Sequence, residues 1–175
     1  MVRRHAETDS TEQRVADMSV VINQLLGVRW KALVMEDENL LDSAYSANAA
    51  KLLNMEKVKL VKHFMVPMRT SGYKYTGHTS SVKIESIIQT SDTVRAEVLE
   101  TRTLTWGPEG AREQNSSQGS TRHKLTLVRE AGRWVISSDE YDDEYYYLKN
   151  LEHPEKELPL LHEQLDSLKA RPPKL

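Results

Sequence analysis

The spacing of apolar residues changes near Pro67. Before Pro67 they recur three or four positions apart, as in the run from Val15 to Leu26, and this spacing predicts helices. After Pro67 apolar and polar residues alternate, which is typical of strands with one buried face. Strands that follow one another without intervening helices pair antiparallel. The sequence therefore predicts an α+β fold in which N-terminal helices pack on a curved antiparallel sheet.

Capping residues and helix breakers predict the helix boundaries. The segment from Ser10 to Gln13 has the form of a capping box, so we expect the first helix to begin there and residues 1–9 to form a disordered arm. Asn39 is expected to cap a second helix, and Pro67 to end a third because proline cannot donate a backbone hydrogen bond.

The alternating part of the chain predicts three or four long strands, with a polar, glycine-containing segment over residues 107–120 as a mobile hairpin loop. Residues 10–150 contain no internal repeat or linker and are predicted to form a single domain, followed by a C-terminal helix and tail over residues 151–175. The strand residues predicted to share the apolar face are Val82, Ile84, Ile88, Val94, Ala96, Val98, Leu104, Trp106, His123, Leu125, Leu127, Trp134 and Ile136, with Trp106 expected to be half exposed. The apolar residues of the final helix are Leu160, Leu161, Leu165 and Leu168.

The composition removes several classes of function. The chain has no cysteine, which excludes disulfides, thiolate zinc sites and cysteine nucleophiles. A net charge of −2 gives no overall attraction to nucleic acid, and the lysines between residues 51 and 74 are spread around their helix instead of forming a stripe. No apolar run approaches the roughly 20 residues that span a bilayer. We expect no nucleic-acid partner, no membrane insertion and no cofactor.

The compartment stays open at this point. The first ten residues are basic at the start but have no apolar region of the kind that a secretory signal contains. Either the protein is cytoplasmic, or it is extracellular or attached to the cell wall and an export signal has been removed.

Acidic residues follow the last predicted strand and raise the question of a metal site. Asp139, Asp142, Asp143 and Glu144 offer the oxygen ligands that calcium prefers. An EF-hand loop needs glycine at its sixth position, where this segment has Glu144, so that pattern fails. A solvated acidic turn at the end of a strand is the favoured interpretation, and cation binding is the weaker alternative.

Two neighbouring motifs resemble a known family. The first is Thr-x-His-x-Leu-x-Leu from Thr121, and the second is Gly-x-Trp-x-Ile-x-x-Asp-x-Tyr-x-Asp from Gly132 to Asp143. Together they resemble the segment that precedes the catalytic part of wall-associated amidase-domain proteins of Gram-positive bacteria. More broadly, helices followed by a meander with Gly-x-Trp-x-Ile are similar to the nuclear transport factor 2-like (NTF2-like), cystatin-like superfamily. This resemblance implies the same α+β fold.

The chain departs from the amidase family in one respect. The hydrolase part of that family carries a cysteine-containing Asp-Cys-Thr-Asn-Phe motif, and this chain has no cysteine. The resemblance therefore implies a non-catalytic accessory domain that binds or positions a partner domain, wall material or a second copy of itself through the sheet face.

The superfamily resemblance also implies an alternative function. Members of the superfamily often have a ligand pocket at the mouth of the cone between sheet and helices. In an isomerase-like or hydrolase-like enzyme, or in a small-molecule binder, Asp139 would act as general base with His123 near it. Tyr45, Tyr73 or Tyr75 would donate a hydrogen bond. His123 shares a face with Leu125 and Leu127, so a structural core histidine is the competing interpretation.

Overall fold

The computed structural model describes residues 3–141 and 151–172, in which helices cover one face of a four-stranded antiparallel sheet. The strands lie in chain order, β1-β2-β3-β4. Their bounds are β1 Lys74–Gln89, β2 Thr93–Gly107, β3 Asn115–Glu130 and β4 Arg133–Tyr141. The α-helices are α1 Arg3–Met35, α2 Ala50–Lys59, α3 Val66–Thr70 and α4 Leu158–Lys169. This is the predicted α+β architecture, including its C-terminal helix.

Helix α1 starts earlier than its sequence predicts. It begins at Arg3, so residues 3–9 are helical where a disordered arm was expected, and Ser10 lies inside the helix instead of capping it. Arginine, alanine and glutamate favour helices, and nothing between Arg3 and Ser10 interrupts one. Further along, one face is buried against the sheet. The buried apolar residues of α1 are Met18, Ile22, Leu26, Trp30, Ala32 and Leu33.

The connection from α1 to the sheet is less regular than predicted. The second helix is a short 3-10 segment, Glu38–Ser43, and the side chain of Asp37 caps it by accepting a hydrogen bond from the backbone N–H of Asn39. Helix α2 continues through a π-helical segment, Leu60–Met65, into α3, so Pro67 does not end the helix. Pro67 lies in the first turn of α3, where a missing N–H is tolerated.

Bulges bend the sheet and change which residues face inward. The pairing of β1 with β2 shifts between Ile84 and Ser86, so Ile87 packs against the core and Ile88 is 70% exposed. Ile88 was predicted to face inward, which is wrong because the extra residue reverses the alternation.

The expected loop over residues 107–120 is mostly strand. Residues 115–120 of β3 pair with residues 101–106 of β2, which leaves a short connection from Pro108 to Gln114. Pairing with a neighbouring strand satisfies backbone groups in polar residues as well as in apolar ones, so composition alone misidentified this segment.

The core lies between α1 and the sheet. Ile136 is buried, and Trp134 is partly buried against the core with the Arg129 guanidinium 4.7 Å from its ring centre, so both face inward as predicted. The backbone around Tyr45 extends the β4 edge: the Ser46 N–H donates to the Ile136 carbonyl at 2.8 Å. Helix α4 buries Leu161 and Leu165, whereas Leu160, predicted on its apolar face, is 70% exposed.

Candidate functional site

Arg29 lies on the inward face of α1 and contacts two carboxylates. Its side chain is 4% exposed, its Nε lies 3.1 Å from Glu56 Oε2, and its Nη2 lies 3.3 Å from Asp139 Oδ2. Nη2 also donates to the Tyr45 hydroxyl at 3.4 Å. Burial lowers the pKa of Arg29, but the carboxylates and tyrosines around it outweigh burial and raise that pKa well above its ordinary value. The guanidinium is therefore a fixed positive charge inside the protein.

His123 lies between Asp139 and a further acidic group, Glu100. Its Nδ1 is 2.8 Å from Asp139 Oδ1, within hydrogen-bonding distance, and its Nε2 is 3.9 Å from Glu100 Oε1. The side chains of all three residues are fully buried. Asp139 thus joins His123 of β3 to Arg29 of α1.

Glu100 faces inward from the middle of β2 and is held by Trp30. The indole Nε1 of Trp30 donates to Glu100 Oε2 at 3.2 Å. Burial raises the pKa of Glu100, but the nearby imidazole of His123, the charge of Arg29 and the hydrogen bond from Trp30 outweigh burial and lower it below its ordinary value. The Arg102 guanidinium covers the indole ring at 4.5 Å from its centre. Glu100 is thus a buried carboxylate that stays ionised.

Tyr141 lies at the end of β4 and connects these buried residues to α2. Its hydroxyl donates to Glu56 Oε1 at 2.5 Å and accepts from Lys59 Nζ at 2.9 Å. Its ring centre lies 5.0 Å from that of His123. Burial raises the pKa of the Tyr141 hydroxyl well above its ordinary value, and the nearby Glu56 adds to that effect. Tyr141 therefore stays a neutral hydrogen-bond donor.

We call these connected residues the buried charge cluster; they come from α1, α2, the segment before α2 and three strands. Its members are Arg29, Tyr45, Glu56, Lys59, Glu100, His123, Asp139 and Tyr141. A cavity of about 580 Å³ borders the cluster. It is lined by two residues of α2 and by both apolar and charged residues of the strands: Leu52, Met55, Glu85, Glu97, Val98, Arg122, His123, Lys124, Asp139, Glu140 and Tyr141. The imidazole and carboxylate of the His123–Asp139 pair are sealed from solvent.

The structure brings three of the five predicted pocket residues into one place. His123 bonds Asp139 directly, and Tyr45 reaches Asp139 through Arg29. Tyr75 instead packs in the core between Phe64 and Trp106, and Tyr73 is exposed at the surface.

The predicted acidic segment is only partly described. Asp142, Asp143 and Glu144 lie outside the described residues. The carboxylate of Asp139 already contacts Arg29 and His123. Within residues 3–141 and 151–172, no group of three or more acidic or histidine side chains is arranged to hold a metal ion.

Sequence reasoning missed Arg29, Glu56 and Glu100, although two of them left a signal. Arg29 is three residues after Leu26 and four before Leu33, so helical spacing places it on the buried face. Glu100 continues the alternation of Val94, Ala96 and Val98. A charged residue at an inward position of a helix and another at an inward position of a strand together indicate a buried ion pair.

The fold and the cluster define an α+β domain with an ionic interior, and the comparisons place that fold among solved structures. No protein-family model matches the chain, and no curated protein sequence matches it. The intermembrane space region of the chloroplast protein ARC6 aligns with a TM-score of 0.53 at 8% identity, over 73% of this chain and 95% of that one. At this identity the likeness concerns the fold alone.

Two other solved structures match more distantly. A single-residue variant of Rv3472, a protein of unknown function from Mycobacterium tuberculosis, aligns with a TM-score of 0.45 at 9% identity, over 90% of this chain and 91% of that one. An NTF-2 like protein of unknown function from Shewanella oneidensis MR-1 aligns with a TM-score of 0.41 at 16% identity, over 70% of this chain and 96% of that one.

No helix in the described ranges combines the length and apolar character needed to cross a membrane.

Proposed function

We propose that this chain is a non-catalytic NTF2-like domain that binds or positions a partner. One observation carries the proposal: the groups that would do acid–base chemistry are paired with one another in the interior. The side chains of His123, Asp139 and Glu100 are 0% exposed, and that of Arg29 is 4% exposed. A general acid or base has to come within hydrogen-bonding distance of its substrate. The cluster instead serves to hold helices and sheet in one geometry.

The resemblance to wall-associated amidase-domain proteins supports a more specific form of the proposal, in which the chain is their accessory domain. The residues of the two motifs lie at structurally demanding positions. Leu125, Leu127 and Ile136 fill the core, and Gly132 has a positive φ of 75° in the turn between β3 and β4. Three further motif residues, His123, Asp139 and Tyr141, belong to the buried charge cluster. A motif made of folding determinants fits a scaffold domain better than an active site.

The outer face of the sheet is the surface we propose for the partner. Strand alternation that buries one face leaves charged residues of both signs exposed on the other. Glu97, Lys124 and Glu140 lie side by side across β2, β3 and β4, and Arg122 pairs with Glu85. Such a mixed-charge surface suits a protein partner, including a second copy of the chain, better than a uniformly charged polymer.

Charge reversal at the centre of that face tests the proposal. The probes are the purified chain itself, by sedimentation velocity, and isolated Gram-positive cell walls, by co-sedimentation. Lys124→Glu is expected to weaken self-association or wall binding at least tenfold, whereas Lys31→Glu, on the exposed side of α1, leaves it unchanged. A chain that stays monomeric and does not sediment with walls contradicts both of these partners. The full reading frame of the source gene tests the amidase association separately, because that association requires an Asp-Cys-Thr-Asn-Phe segment.

A second candidate function, a small-molecule binder or enzyme, is favoured by one observation. The hydrogen-bonded His123 and Asp139 border the cavity of about 580 Å³, which is within the usual size of ligand sites. A fragment screen monitored by backbone amide shifts decides between the two candidates. Shifts concentrated at Val98, Met55 and Tyr141 would support a ligand site. An unresponsive cavity would leave only the binding-domain proposal.

A further inference from the structure

Both ring nitrogens of His123 face a buried carboxylate. Nδ1 lies 2.8 Å from Asp139 Oδ1, and Nε2 lies 3.9 Å from Glu100 Oε1. Neither His123 Nε2 nor Glu100 Oε1 has a hydrogen-bond partner among the described residues. A neutral imidazole donates from one nitrogen only and would turn the lone pair of the other toward a carboxylate. Only the imidazolium presents a proton to both acids.

The charged groups around His123 also favour its protonated form, the imidazolium. Arg29 faces it from α1, Glu100 from β2, and Asp139 and the Tyr141 ring from β4. The buried charge cluster contains three buried carboxylates, those of Glu56, Glu100 and Asp139. It also contains two cations, Arg29 of α1 and Lys59 of α2. Arg102 is half-buried, and its guanidinium lies 4.5 Å from the ring centre of Trp30. A proton on His123 therefore neutralises the innermost part of the cluster.

We propose that His123 is a pH-sensitive clamp, whose imidazolium ties β2 to β4 beneath α1 and whose deprotonation releases the end of β4. Loss of the proton leaves Glu100 facing a lone pair and weakens the hydrogen bond that fixes Asp139. Asp139 also holds Arg29, and Tyr141 stacks two residues further along β4. The released segment is thus the one that carries Tyr141, a wall of the cavity. This inference stands whether or not the domain proves to be catalytic.

The direction of the pH dependence follows from the contacts. Burial lowers the pKa of His123, but the hydrogen bond to Asp139 and the nearby Glu100 carboxylate outweigh burial, so the pKa lies above its ordinary value. A raised folded-state pKa means that the stabilisation is complete below the unfolded value of about 6.5 and is lost as the pH rises through the folded-state pKa. The clamp is therefore closed in mildly acidic solution and opens on the alkaline side.

Ring-nitrogen NMR on the uniformly labelled full chain tests the protonation state without any substitution. Both nitrogens of His123 are expected to show imidazolium shifts in mildly acidic solution, with a midpoint above the ordinary value of about 6.5. Asp139→Asn is expected to lower that midpoint, whereas His153→Gln, at an exposed site, leaves it unchanged. A midpoint at or below about 6.5 would overturn the proposal.

Amide hydrogen exchange tests the release of β4. After correction for intrinsic rates, protection of residues 136–141 is expected to fall at least tenfold between a pH below the measured His123 midpoint and a pH above it, while protection at the buried centre of α1 stays constant. His123→Gln should show low protection at both pH values. If that variant does not fold, the wild-type profile still decides, because equal protection of residues 136–141 at both pH values refutes the clamp.

Discussion

Removing Arg29 is the most direct test of the buried charge cluster. Arg29→Met keeps much of the side-chain volume but leaves Glu56 and Asp139 without the cation that lies 3.1 Å and 3.3 Å from them. Breaking a buried ion pair by deleting one partner costs about 3–5 kcal/mol. With a urea dependence of about 2 kcal/mol per M, the denaturation midpoint should fall by roughly 2 M. Lys31→Met, on the exposed side of the same helix, should change the free energy of unfolding by less than about 0.5 kcal/mol.

A second substitution separates loss of charge from loss of packing. If the destabilisation comes from unpaired carboxylates, adding Glu56→Gln to Arg29→Met should recover part of it, with a coupling free energy of about 1–3 kcal/mol. Strictly additive effects, or an Arg29→Met variant as stable as the Lys31→Met control, would refute the electrostatic account and leave only side-chain packing.

Three further outcomes are expected. Leu165→Ala should lower the free energy of unfolding, measured by chemical denaturation, by about 2–5 kcal/mol. Leu160→Ala should lower it by less than about 0.5 kcal/mol, because α4 buries Leu165 and exposes Leu160. Equal losses would mean that α4 packs on the domain differently. Because the pKa of Glu100 is lowered in the folded state, its ionised carboxylate stabilises the protein, and this stabilisation is lost as the pH falls below about 4.3. The free energy of unfolding of Glu100→Gln should therefore fall less than that of the wild type between about pH 5 and pH 3. Gly132→Ala should cost about 1 kcal/mol through its positive φ of 75° alone, since no atom lies within 4 Å of the added methyl; a neutral effect on the melting temperature would contradict this.

The architecture was predictable because the apolar spacing of α1 and the alternation of β2 each specify one buried face. What could not be predicted is which charges meet on those faces. Asp139 and Arg29 are 110 positions apart, and only the antiparallel register and the crossing of α1 over the sheet bring them within 3.3 Å. Ile88 illustrates a different limit. The local alternation predicted that its side chain faces inward, but one bulge reversed the alternation and left it exposed. Register shifts and long-range ion pairs depend on the whole sheet and not on a window of sequence.

The π-helical segment Leu60–Met65 has a consequence for the chain lengths that this fold can tolerate here. The Val66 N–H bonds the Val61 carbonyl, five residues back, so this turn holds one residue more than an α-helical turn. Deleting one residue there would turn the segment into ordinary α-helix, and because the wider turn had absorbed the extra residue, the helix after it would keep nearly the same orientation. Arg69 would then still face Glu36, whose carboxylate it contacts at 2.8 Å through Nε. Homologous chains are therefore expected to differ by one residue in this turn without losing that contact.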